Sequence, residues 1–199
     1  MLKIDRLNQE FMTFGPVSFD VKTKEIVGII GESGAGKSIL LKSIADMLPH
    51  DGKIFLDEVE QQDIKARLWR KQVALLPAEV VFWNQKIKDD LKTADNEIIK
   101  KFGFIPEEIL EKNTDDLSSG EKQRIGLLRI FENRPKVLLL DEPSANLDEK
   151  NKMILEEIVL DYIETNNASA VWVAHDHEQL KRVSSKIFEI TQNSFKEKF

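Results

Sequence analysis

The chain has 199 residues, with 29 Lys and Arg against 35 Asp and Glu for a formal charge of −6, and it contains no cysteine. That length suits one compact domain, or one domain with a small lobe, while the missing cysteine excludes a disulfide framework, a zinc ribbon and a cysteine nucleophile and suits a reducing compartment. An acidic balance argues against general nucleic-acid binding, and no apolar run approaches the ~20 residues that cross a bilayer, so a soluble protein is expected.

In chain order, the N-terminus from Met1 to Arg6 does not read as a secretion signal. Leu2 to Ile4 and Val17 to Val21 alternate around the Gly15-Pro16 turn and predict a small β layer. Phe11 or Phe14 offers an aromatic face on which a nucleobase could stack. Ile26 to Ile30 reads as a buried strand, and Ile39, Leu40, Leu41, Ile44, Ala45 and Leu48 recur at helical spacing. Between them Gly31-Glu32-Ser33-Gly34-Ala35-Gly36-Lys37-Ser38 fits the phosphate-binding pattern G-x-x-x-x-G-K-[ST]. Its glycines let backbone N–H groups converge on anionic oxygens at a helix start, where the dipole adds to the attraction. Lys37 is placed to reach the outer phosphates and the Ser38 hydroxyl to ligate Mg²⁺.

Past Leu48-Pro49, His50-Asp51-Gly52 reads as a turn with His50 on the surface, and Lys53 to Leu56 as a strand. Residues 61–71 predict a short exposed helix with Leu68 and Trp69 inward, and Val73 to Leu76 a buried strand closed by Pro77. From Ala78 to Asp116, Ile87, Leu91, Ile98, Ile99, Phe102, Ile109 and Leu110 recur at helical spacing amid charges, with breaks at Gly103 and Pro106. They predict a small inserted helical lobe of about residues 78–116 within a core of residues 1–77 and 117–199. Phe82 and Trp83 at its entrance are either a docking surface or buried.

Leu117-Ser118-Ser119-Gly120-Glu121 then opens an amphipathic helix, with Ser118 or Ser119 as its cap. After Pro135, Val137 to Leu140 reads as a fully buried strand delivering Asp141-Glu142 at its carboxyl end, where open α/β sheets hold their ligands. If the strand continues, the two carboxylates face opposite sides and divide the work: Asp141 suits a magnesium ligand and Glu142 a general base for the attacking water. Asp148 is the expected cap of a helix carrying Met153, Ile154, Ile158, Val159 and Ile163. Ala168 to Ala174 is a further buried strand delivering His175, whose imidazole can donate to a terminal phosphate. Lys186 to Ile190 reads as the final strand, followed by a frayed tail from Lys196 to Phe199.

Taken together and in this order, the motifs resemble those of the ATP-binding cassette (ABC) ATPases: the phosphate loop, the signature Leu117 to Glu121, the Walker B strand Leu138 to Glu142, the Asp148 loop and the switch His175. The resemblance covers nearly the whole chain. It implies an α/β P-loop NTPase core with a mainly parallel sheet, an N-terminal antiparallel β layer and the inserted lobe. It further implies ATP and Mg²⁺ as cofactors, with ATP held between residues 31–39 of one cassette and the signature of a second. The second cassette would be an identical or related chain. The expected partners are separate transmembrane subunits, and the expected location is the cytoplasm, peripheral on the inner membrane face. Ala78 stands where family members usually carry a Gln, Ile39 where a Thr often meets the α-phosphate, and Ser119 for the first signature Gly. A soluble, non-transport cassette ATPase and a weakly hydrolysing regulatory module are the competing readings.

Overall fold

Strands covered on both faces need apolar residues on both, and three segments of this chain supply them without interruption. The computed structural model describes residues 1–91, 95–145, 147–191 and 194–198. Its strands and helices run β1 (Leu2–Asn8), β2 (Val17–Val21), β3 (Ile26–Gly31), α1 (Lys37–Ile44), β4 (Asp51–Leu56), β5 (Val59–Glu60), α2 (Ala66–Gln72) and β6 (Val73–Leu76). They continue as α3 (Ile87–Asp90), α4 (Asn96–Lys101), α5 (Pro106–Glu111), α6 (Ser119–Phe131), β7 (Val137–Asp141), α7 (Glu149–Asn166), β8 (Ser169–Val173), α8 (His177–Val183), β9 (Lys186–Thr191) and β10 (Ser194–Glu197). One sheet has the order β10-β9-β3-β8-β7-β6, parallel except for the edge strand β10, and the other is the antiparallel sheet β2-β1-β4-β5.

The parallel sheet separates two apolar clusters. Because side chains alternate along a strand, Leu138, Leu140, Ala170 and Trp172 join Ile125, Leu128, Leu155 and Val159 of α6 and α7 on one face. Val137, Leu139, Val171 and Val173 meet Leu40, Leu41 and Ile44 of α1, Trp69 of α2 and the inner face of the antiparallel sheet on the other. Trp69 is fully enclosed and its indole N–H donates to the Ile44 carbonyl at 2.8 Å, so the ring is buried without an orphan donor.

The register sets the site. Ile29 of β3 and Asp141 of β7 both lie opposite Val173 of β8, which brings the carboxyl ends of three central strands level. The Glu142 N–H reaches the Val173 carbonyl at 3.0 Å, and the Ala174 N–H reaches that of Ile29 at 3.2 Å. The phosphate loop, the Asp141-Glu142 pair and His175 therefore leave the sheet side by side.

Several expectations need correction. Leu68 is 51% exposed while Trp69 takes the inward position, because α2 is short and presents only a narrow face to the core. Met153 and Ile98 are exposed on their helices, whereas Ile87, Leu91, Ile99, Phe102 and Ile109 are buried. Phe14 is 2% exposed and belongs to the core, which withdraws it as a stacking ring; Phe11 is exposed in the β1–β2 turn. His50 is half-buried, with Nε2 2.8 Å from Gln61 Oε1. The tail pairs as β10 through Glu197 instead of fraying, since Phe195 stacks on Phe188 with ring centroids 4.6 Å apart. Phe199 in that tail, and Asn146 before Asp148, lie outside the described residues.

Candidate nucleotide site

The loop after β3 turns on two glycines, Gly34 at φ 78° and Gly36 at φ 100°, in left-handed conformations that a side chain rarely adopts. At Gly36 a Cβ would also lie 3.3 Å from Phe14 and 3.5 Å from the Met12 backbone, so the chain before β2 forms the back of the loop. Thr13 fastens the same region, its hydroxyl donating to the Ala35 carbonyl at 3.2 Å. With glycine at its cap position, α1 has no side-chain acceptor for its first N–H groups, the arrangement that leaves them for an anion. Ile39, in the first turn of α1, packs against the apolar cluster beneath.

Lys37 is 5% exposed and donates to the carbonyls of Gly31 at 2.7 Å and Glu32 at 2.9 Å. Burial pushes its ammonium below the usual lysine range, and the charges of Glu142 and Asp141 pull the other way. Asp141 is 4% exposed, and burial, reinforced by Glu142, raises its carboxyl above the ordinary range against a hydrogen bond from Ser38 and the charges of Lys42 and Lys37. Its Oδ1 is buried without a hydrogen-bond partner. An orphaned, dehydrated carboxylate oxygen beside the Ser38 hydroxyl fits a small hard cation. Mg²⁺ suits such a sparse donor set because it keeps several waters and takes substrate phosphate oxygens as well. Among the described residues, no cluster of three or more His, Asp or Glu side chains offers an all-protein metal cage.

Strand alternation does not orient Glu142 relative to Asp141. The strand stops at Asp141, and Glu142 takes φ 50°, a left-handed conformation uncommon for a residue with a side chain. That turn carries Glu142 towards β8, where its Oε1 lies 2.7 Å from His175 Nε2. A cavity of about 250 Å³ opens beside the pair, lined also by Ser144, Lys152 and Gln179. A larger opening of about 670 Å³ runs from Ile30, Gly31 and Glu32 past His175 to Glu189 and Thr191.

The signature sits on α6. Ser118 is its cap, accepting from the Glu121 N–H at 3.3 Å, while Glu121 Oε2 accepts from the Ser118 N–H at 2.9 Å. Lys112 bonds the other Glu121 oxygen at 2.9 Å, and Leu117 is buried while Ser118 and Ser119 face outwards. Asp148 caps α7 through the Asn151 N–H at 2.8 Å and also takes the Asn151 amide at 2.9 Å, contacts that hold its carboxyl below the usual range.

Sequence reasoning missed several polar side chains at this end of the molecule. Gln123 is buried on α6 and donates to the carbonyls of Pro77 at 3.3 Å and Ala78 at 2.5 Å. Gln179 of α8 accepts from Ser144 at 2.9 Å and donates to the buried carboxylate of Glu156 at 2.8 Å, which Arg182 also binds. The one legible signal was polar residues at core-facing helical positions, which looks the same as an interrupted apolar stripe.

The ABC transporter family model matches residues 14–145. The chain belongs to this family. Among curated relatives, this cassette is 33% identical over 183 residues to the probable iron export ATP-binding protein FetA of Escherichia coli, covering 86% of the chain and 81% of FetA. It is 31% identical to the energy-coupling factor transporter ATP-binding protein EcfA2 of Caldanaerobacter subterraneus, covering 86% of the chain and 66% of that relative. Solved structures share the fold. An ATP-binding subunit of an ABC transporter superposes at TM-score 0.86 with 21% identity, over 99% of this chain and 89% of that one. A bacterial Atm1-family ABC exporter with ATP bound superposes at TM-score 0.86 with 19% identity, over 98% of this chain and 38% of the exporter. The P-loop α/β architecture, with its mainly parallel sheet and antiparallel layer, is the cassette fold.

Proposed function

We propose that this chain is the ATP-binding and ATP-hydrolysing subunit of an ABC transporter, working as a nucleotide-sandwich dimer. The observation that carries the reading is the 2.7 Å contact of Glu142 with His175, beside the buried Lys37 and Asp141. Residues 31–39 hold the phosphates through backbone N–H groups and Lys37. Mg²⁺ held by Ser38 and Asp141 would neutralise charge on the outer phosphates. With Oε1 of Glu142 engaged by His175, Oε2 receives the proton of the attacking water. His175 keeps Glu142 in place through Nε2, and as an imidazolium it also donates from Nδ1 to the terminal phosphate when the site closes. Residues 117–121 of a second cassette cover the nucleotide from the opposite side, and Asp148 lies in the loop that faces that partner.

The relatives' names support a transport role, since FetA is named for iron export and EcfA2 for an energy-coupling factor transporter. No helix among the described residues is long and apolar enough to cross a membrane, which fits separate spanning subunits and a peripheral position on the inner face. The lobe of about residues 78–116 would transmit motion to them. Trp83, 87% exposed next to the Arg129-stacked Phe82, is its natural contact, and Ala78 leaves that transmission without the usual Gln. The test is steady-state ATPase activity of the chain against Glu142→Gln, with oligomeric state followed in ATP and Mg²⁺. Glu142-dependent turnover and an ATP-trapped dimer of the variant are expected. Equal turnover of variant and parent would reject Glu142 as the base.

A further inference from the structure

We infer that Arg124, acting through Asn151, positions the Asp148 loop and ties it to the helical lobe. The Arg124 guanidinium donates through one nitrogen to Asn151 Oδ1 at 3.0 Å and to the Phe102 carbonyl at 3.2 Å, and it lies 4.5 Å above the Phe104 ring. Phe102 closes α4 and Phe104 follows it, so a side chain of α6 grips the lobe by backbone and by ring at once. The Asn151 amide then passes the constraint on, its nitrogen donating to Asp148 Oδ2 at 2.9 Å.

The orientation of that amide is not interchangeable. A guanidinium has no acceptor and a carboxylate no donor, so only the oxygen of Asn151 can face Arg124 and only its nitrogen can face Asp148. A side chain fixed at both ends transmits displacement from one end to the other. Arg124 touches neither substrate nor reacting atoms and is a positioning residue. Its neighbour Gln123 holds the Pro77 and Ala78 carbonyls, so two consecutive donors of one helix secure the start of the lobe and the Asp148 loop. The methyl of Ala78 has no polar group to make such a connection itself, and α6 supplies it from the other side.

The readout through dimerisation rests on the nucleotide-sandwich reading. The experiment introduces Asn151→Ala, Asn151→Asp, Arg124→Lys and the pair Asn151→Ala with Arg124→Lys into the Glu142→Gln chain. Two quantities are measured: the ATP concentration for half-maximal dimerisation in Mg²⁺, and amide hydrogen exchange without nucleotide. Each single substitution should raise the ATP requirement about tenfold, as expected for one charge-assisted hydrogen bond, and the double no further than either single. Arg124→Lys should speed exchange at 147–151 as well as at 102–104, because an ammonium offers neither the fork nor the stacking plane. Asn151→Asp should keep 102–104 protected through Arg124 while loosening 147–151, because its new carboxylate repels Asp148. Unchanged exchange at 147–151 in the Arg124→Lys chain, an additive double, or an unchanged ATP requirement would overturn the inference. A Glu142→Gln chain that stays monomeric at all ATP concentrations would reject the sandwich reading instead, and the exchange pattern then decides this inference alone.

Discussion

The Lys37 ammonium donates to the Gly31 carbonyl at 2.7 Å across the mouth of its own loop. Lys37 thereby sets the shape of the loop as well as its charge, and in the proposed site a triphosphate would compete with two carbonyls for one buried cation. Lys37→Met keeps the apolar stem and removes the charge. ATP affinity measured by titration calorimetry should fall at least about 100-fold, since charged hydrogen bonds contribute ~1.5–3 kcal/mol each. The melting temperature should move by no more than about 4 °C, because the lost bonds are offset by removal of a desolvated ammonium. Affinity within about threefold of the parent would show that Lys37 does not reach the nucleotide.

Asp141 yields a prediction with a definite sign. Its folded carboxyl titrates above the unfolded one, so the folded state binds more protons in the interval between them and stability falls as pH rises through it. Above that interval the buried carboxylate therefore costs stability. Asp141→Asn should raise the melting temperature in nucleotide-free, metal-free buffer at pH 7 by about 2–4 °C per kcal/mol recovered. The gain should shrink in acid, and Mg²⁺-dependent ATP binding should be lost. Destabilisation at pH 7 would mean that Lys37 and Lys42 outweigh desolvation.

The capping box at Ser118 predicts a loss that a second substitution repairs. Ser118→Ala removes the acceptor for the Glu121 N–H and should cost ~1 kcal/mol, or about 2–4 °C in melting temperature. Ser118→Asn caps comparably and should restore most of it. Equal melting temperatures for all three chains would show that the start of α6 is held by Leu117 and Lys112 instead.

The β9–β10 hairpin predicts a coupling between distant parts of the chain. Phe195 lies 4.6 Å from Phe188, 5.5 Å from Phe19 and 6.2 Å from Phe14, ring centre to ring centre. Phe195→Ala should lower stability by about 2 kcal/mol, as loss of several aromatic contacts would. It should also weaken ATP binding, since Phe14 backs Gly36. Unchanged ATP affinity in a destabilised variant would separate the hairpin from the loop.

The legible parts of this molecule were those with local causes. Glycines followed by Lys37-Ser38, an unbroken Val137 to Leu140 and a serine three residues before Glu121 each declare their structure within a few residues, and each stands where expected. Parts set by distant partners were not legible. Nothing near Phe14 announces that Phe195 will cover it, and nothing near Leu68 says that α2 has room for one inward ring. Asp141 and Glu142 are instructive because alternation predicts the direction of both, whereas a left-handed turn at Glu142 sets where that side chain goes. Alternation assumes a continuing strand, and the chain leaves the sheet one residue earlier. Gln123, Arg124 and Asn151 were illegible for a related reason: their meaning lies in which carbonyl or amide they face, and that is decided by the packing of α4, α6 and α7.

Phe14 backs Gly36 from upstream, while Phe195 reaches Phe14 from far downstream. On a ribosome, the glycine loop would emerge complete in sequence well before β10 existed to support its rear wall. Contacts of such long sequence separation close late in folding. The capacity to retain nucleotide would then be acquired near the end of synthesis, and a nascent chain stalled before Phe195 would display every phosphate-binding residue while holding ATP poorly.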